Sequence, residues 1–241
     1  MSVFPDTRLS VVAGLSSDDP GTRSRAMEIV ARAYRAPIIA VLQHRWSLDT
    51  PDAEDLAHDF FVHAFSKEWL QRFDASRGRF RTFLRSCLSA YASTAHEAAH
   101  RLKRGGGSLH LSLDDDNVAA TSPEVDAIFD REWVRSVLTL SLESFRRECE
   151  GDDTEDEKRE GRAVTYAVFV ARDVDGADLE VPPSYSELAE RFAVLPTQVT
   201  NYLNWARRRF RVHVLETLRA LTASDDEFRA EARALLGVEV S

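Results

Sequence analysis

The chain has 241 residues, a net charge of −9, 44% hydrophobic and 29% charged residues, which excludes wholesale disorder and suits one large domain or two small ones. No run approaches 18 apolar residues, so no membrane span is expected, and the first 14 residues lack the apolar core and cleavage site of a secretory signal. Two cysteines, Cys87 and Cys149, exclude a disulfide scaffold or cysteine-rich zinc module and point to reduced thiols in the cytoplasm.

Helical periodicity runs nearly throughout and predicts an all-α fold. Thr22 to Trp46 carries Ile29, Val30, Tyr34, Ile38, Val41 and Leu42 at helical spacing. Asp52 to Phe65 follows Pro51 with an acidic first turn, a helix start. Phe80 to Lys103 reads as a long helix with Phe83, Leu84, Leu88 and Tyr91 inward, ended by Gly105-Gly106-Gly107. Residues 108–122 read as a linker, and Pro123 opens a helix through Trp133, Val137 and Phe145. An acidic loop surrounds Gly151, a short apolar helix spans Ala163–Ala171, and a loop is expected from Asp173 to Pro183. Two helices, Ser184–Phe192 and Pro196–Leu218, and an amphipathic stretch, Asp225–Leu236, complete the reading.

Charge is distributed unevenly. Arg72–Arg104 holds eight basic residues against two acids, and Ser184–Arg219 six against three. Glu143–Glu160 between them holds nine acids against four bases. Two basic islands on an acidic chain suggest two nucleic-acid-facing modules.

The segment 184–219 has the form of a helix-turn-helix. Ser184 and Glu187 make a capping box, Leu188, Ala189 and Phe192 an apolar face, and Pro196 starts the second helix with Val199, Tyr202 and Leu203 inward. Thr197, Gln198, Thr200, Asn201 and Asn204 then face outward as candidate readers of base edges, with Arg207, Arg208, Arg209 and Arg211 as phosphate clamps. A competing motif is His96-Glu97-Ala98-Ala99-His100, which places two His one turn apart and makes a zinc metalloprotease the distant alternative. The adjacent cationic run Arg101-Leu102-Lys103-Arg104 and the lack of an evident third ligand count against it. No catalytic residue, metal or cofactor is expected.

Five segments in order resemble bacterial RNA polymerase sigma factors of the extracytoplasmic-function type. Asp52-Ala53-Glu54-Asp55-Leu56 with Asp59-Phe60-Phe61 resembles the clamp-docking segment of their second region. Arg77-Gly78-Arg79-Phe80-Arg81-Thr82-Phe83-Leu84 resembles the opening of the promoter-melting helix. Lys103-Arg104-Gly105-Gly106-Gly107 with Leu111-Ser112-Leu113-Asp114 resembles the start of the interdomain linker in one branch. Ser184 to Arg191 and Ala206 to Arg211 resemble the fourth-region helix-turn-helix.

The resemblance implies a second-region domain over 1–107, a linker over 108–122 and a fourth-region domain over 123–241 with its helix-turn-helix at 184–219. It implies that Asp52, Glu54, Asp55, Leu56, Asp59, Phe60 and Phe61 serve binding to the clamp of RNA polymerase core. It implies that Arg79, Arg81, Arg85, Arg101, Lys103 and Arg104 hold the melted upstream element of promoter DNA. The other expected partner surface is the polymerase flap. An anti-sigma factor is left open, no membrane is involved, and the location is cytoplasmic. The chain departs from the family at His58, where Gln is usual, and at Thr94–Ala98, where the melting stretch commonly reads Asn-Glu-Trp-Asp-Arg. Ala193 stands at the turn glycine, at a cost of about 1 kcal/mol if that position needs positive φ.

Overall fold

The computed structural model describes residues 10–102, 122–151 and 156–237, with side chains for all but 98–102 and 156–160. Lys103, Arg104, the triple glycine and the expected linker up to residue 121 lie outside the described residues. All regular elements among the described residues are helical, as the periodicity predicts, and none is a strand. No helix among them is long and apolar enough to cross a membrane.

The helices are α1 (Val11–Gly14), α2 (Pro20–Trp46), α3 (Thr50–Ser66), α4 (Phe80–Leu102), α5 (Pro123–Glu150), α6 (Asp156–Phe169), α7 (Tyr185–Arg191), α8 (Pro196–Leu221) and α9 (Asp225–Leu236). Their boundaries follow local chemistry. Asp19 caps α2 by accepting from Thr22 N at 2.7 Å. Asp49 caps α3 by accepting from Asp52 N at 3.0 Å, so α3 begins two residues before the expected Asp52. Before α4 the chain passes through Gly78 at φ 146°, a conformation that side-chain-bearing residues rarely adopt.

The chain divides into two compact units. One is built from the chain up to Val137 together with the chain from Leu218 onward; the other is Leu138–Thr217. Pro123–Val137 and α9 therefore belong with α2–α4, whereas the expected domain of 123–241 grouped them with the helix-turn-helix. The physical reason lies in the first unit's core. There Tyr34 of α2 is fully buried between Phe80 of α4, met edge-on at 5.8 Å, and Phe129 of α5, stacked at 6.1 Å. Phe60 of α3 meets Tyr91 of α4 at 5.7 Å. Phe129, Trp133, Phe228 and Ala232 are all buried in this unit. Removing such side chains from water stabilises by about 1.5–3 kcal/mol each.

The second unit gathers Phe145 and Cys149 of α5, Val168 and Phe169 of α6, Leu188 and Ala189 of α7, and Val199, Leu203 and Ala206 of α8 into one core. Helical structure here extends past the expected Ala171. A π turn over Val170–Val174 and a 3-10 turn over Asp175–Asp178 continue α6, replacing the first half of the expected loop. Gly176 makes this possible by close approach: a Cβ there would stand 3.2 Å from the Ala171 carbonyl oxygen and 3.3 Å from the Pro183 ring. Arg172 donates to the Pro183 carbonyl and holds the following strap against the turn.

Candidate nucleic-acid interface

The second unit contains a helix-turn-helix assembled as the residues predict. Ser184 Oγ accepts from Glu187 N at 3.2 Å, and Glu187 accepts from Ser184 N at 2.6 Å, completing the capping box. At the other end of α7, Val194 N donates to Ala189 O at 3.0 Å and Ala193 N to Glu190 O at 3.3 Å. This is a Schellman turn, and its left-handed position falls on Ala193 at φ 52°. Leu188 and Ala189 pack against Val199, Leu203 and Ala206 of α8.

Burying that face of α8 leaves the opposite one in water. Thr197, Asn201, Asn204, Arg208 and Arg211 are exposed and recur at spacings of four, three, four and three, one stripe along the helix. Arg211, expected as a phosphate clamp with the arginine run, completes this stripe. Thr200 is exposed beside it and bonds Pro196 O at 3.3 Å. Gln198 is exposed and also has a local role: its Oε1 accepts from Leu195 N at 2.8 Å and so caps α8, whose N-cap residue is Leu195 and not Ser or Thr.

Two expected phosphate clamps are engaged inside the unit. Arg207 holds Asp173 through two parallel bonds of 2.6 and 2.8 Å. Arg209 donates to both oxygens of Glu148 at 2.6 and 2.8 Å. Glu148 also meets His213 Nε2 at 2.5 Å, and His213 Nδ1 lies 3.1 Å from Ser144 Oγ. Burial works against ionisation of Glu148, but the hydrogen bonds from Arg209 and then His213 outweigh it and hold the carboxyl below its ordinary 4.5. These pairs tie α8 to α5 and to the π turn. Of the arginine run, Arg208 is the one pointing out with the polar stripe.

The acidic segment of α3 separates into two faces. Asp52, Asp55, Asp59 and the 54%-exposed Val62 line one exposed edge, with His58 beside it. Leu56 is half-buried, and Glu54, also half-buried, pairs with Arg35 of α2 at 3.4 Å. Phe60 and Phe61 are buried, so they hold α3 down from beneath and present no ring to a partner.

The start of α4 differs most from expectation. Arg79 meets Glu231 of α9 at 3.0 Å, and Arg81 meets Glu231 at 3.1 Å and Asp130 of α5 at 2.8 Å. Arg85 meets Asp126 at 3.2 Å and Asp130 at 3.9 Å. Arg81 also covers the Trp133 ring at 5.0 Å. Arg81 and Arg85 keep only 15% and 12% of their side chains in water. Sequence reading had no signal for these contacts, because their acids lie about 40 to 150 positions away. Arg101 sits on the last turn of α4 with its side chain outside the described residues.

His96 and Glu97 are exposed near the end of α4, and the side chain of His100 lies outside the described residues. Among the described residues no three His, Cys, Asp or Glu side chains converge as a metal site would require. Comparison of the chain with protein-family profiles, with curated proteins and with solved structures finds no match.

Proposed function

We propose that the chain is a sigma factor of the extracytoplasmic-function type, which binds RNA polymerase core and directs it to a small set of promoters. The observation that carries this reading is the helix-turn-helix with its outward stripe of Thr197, Asn201, Asn204, Arg208 and Arg211. Short amides on an exposed helix face suit bidentate bonds to adenine edges, and an arginine at each following turn suits the phosphates beside them. The exposed carboxylates of Asp52, Asp55 and Asp59 fit a basic surface on the polymerase. No covalent chemistry is involved. Two weak readers on one chain gain specificity because both must fit a fixed spacing.

A second reading has its own support. Arg79, Arg81 and Arg85 are occupied by carboxylates, and Thr94–Ala98 lacks the aromatic and arginine of the family's melting stretch. A regulator on the same scaffold, binding DNA or polymerase without opening promoters alone, would have this form.

The test is co-purification with bacterial RNA polymerase core, followed by transcription from a genomic fragment library. Binding that is lost in Asp55→Ala/Asp59→Ala, with discrete start sites, is expected. Binding without transcripts selects the regulator. Absence of binding removes the sigma reading and the polymerase-binding regulator, and leaves a helix-turn-helix regulator that acts through DNA alone.

A further inference from the structure

The arginines at the start of α4 are cationic groups of the kind that grip a nucleic-acid backbone, yet each is already on a carboxylate. Their partners come from two directions. Asp126 and Asp130 lie on the first turns of α5, and Glu231 lies on α9. Glu227, one turn before Glu231, accepts from Phe80 N at 3.0 Å, filling the place of an anion at the head of α4. Its other oxygen accepts from Ala223 N at 2.8 Å, at the head of α9 itself. Glu227 and Glu231 are buried, so α9 does not brush against this site but seats two carboxylates in it.

The seat is not fully satisfied. Burial pushes the Glu231 carboxyl above its ordinary value, against the pull of Arg81 and Arg79 and with Glu227 adding to the rise. Beneath the same layer, the Tyr34 hydroxyl and the Trp133 indole nitrogen are buried without a hydrogen bond of ordinary geometry. Of the apolar side chains of the twelve-residue amphipathic α9, only Phe228 and Ala232 are buried, and Leu235 and Leu236 stay half-exposed.

We propose that α9 is a displaceable acidic cover, an autoinhibitory contact whose glutamates occupy the arginine site of α4 until the phosphate backbone of a nucleic-acid strand replaces them. The idea rests on the nucleic-acid reading given above. It makes the occupied arginines a closed state of the promoter-binding site. Polyanion and α9 compete for one set of cations, so each weakens the other's hold by the same factor.

The experiment uses the full chain and a fluorescent 20-nucleotide mixed-sequence single-stranded DNA at low salt. Affinity is compared for the parent, for Glu227→Gln/Glu231→Gln, and for Asp18→Asn/Glu28→Gln. The last changes net charge equally at exposed sites of the same unit. Hydrogen exchange of α9 amides in the parent, with and without DNA, reads displacement directly and needs no variant to fold. The expected result is about tenfold tighter binding for the glutamate variant than for the charge control, as for a site open about one time in ten. Faster exchange across α9 when DNA binds the parent is expected with it. Equal affinity in the two variants, together with unchanged α9 exchange under saturating DNA, overturns the cover. If the parent's binding is then lost in Asn201→Ala/Asn204→Ala/Arg208→Ala, the nucleic-acid reading stands without it. No DNA binding by any of the folded proteins overturns both.

Discussion

At the residue scale, Ala193 carries backbone strain. It sits at φ 52° in the Schellman turn between α7 and α8, where a side chain crowds its own backbone. Ala193→Gly is expected to raise the unfolding free energy of the second unit by up to about 1 kcal/mol, read by urea denaturation. A loss of stability would mean that the turn gains something from the methyl group. Glu148 makes a different claim. Its carboxyl is held below 4.5 in the folded chain, so it stabilises fully above that value and loses its contribution as pH falls through the depressed one. The stability gap between the parent and Glu148→Gln is therefore expected to be widest near pH 7 and to narrow below about pH 4.5. A gap that stays constant from pH 7 to pH 3 would place the pair's value in packing and not in charge.

At the scale of elements, legibility follows distance along the chain. The Ser184–Glu187 box and the αL position at Ala193 could be read because their partners lie within one turn. The same holds for the Pro196 start and for the outward positions of α8, which periodicity alone assigns. The capping bond of Gln198 was not foreseen, because a glutamine three residues into a helix serves equally as a cap and as a reader. The ion pairs of Arg207 and Arg209 were hidden for another reason: Asp173 and Glu148 lie 34 and 61 residues away, and no spacing rule links them. The extension of α6 through its π turn was hidden too, since it depends on the prolines that pack on Gly176. The exposed stripe carries the element-level prediction. Asn201→Ala or Asn204→Ala is expected to weaken binding to the selected promoter DNA by about 1–3 kcal/mol while leaving the melting temperature unchanged. Equal losses on promoter and random DNA would assign these amides to the backbone and not to base edges.

At the scale of the molecule, a linear charge map misjudges what a partner meets. The basic island at Arg72–Arg104 is partly neutralised by Asp126, Asp130 and Glu231, which the sequence places far outside it. The helical class was legible because nearly every segment carries one periodicity. The grouping of Pro123–Val137 and α9 with the first unit was not, because it depends on which aromatic surfaces meet across the chain. That grouping has a consequence for how the protein is made. The second unit is one continuous stretch, complete once Thr217 has left the ribosome tunnel, whereas the first must await α9. Early-synthesised α2 to α4 would emerge with Phe80 N, Arg79 and Arg81 lacking their α9 partners for the seconds that about 100 further residues take at 5–20 per second. Ribosome-arrested chains ending a tunnel length past Thr217 are expected to show a protease-resistant second unit beside a digestible first one. Those residues emerge first and finish last, which makes them the stretch on which a nascent-chain chaperone would act.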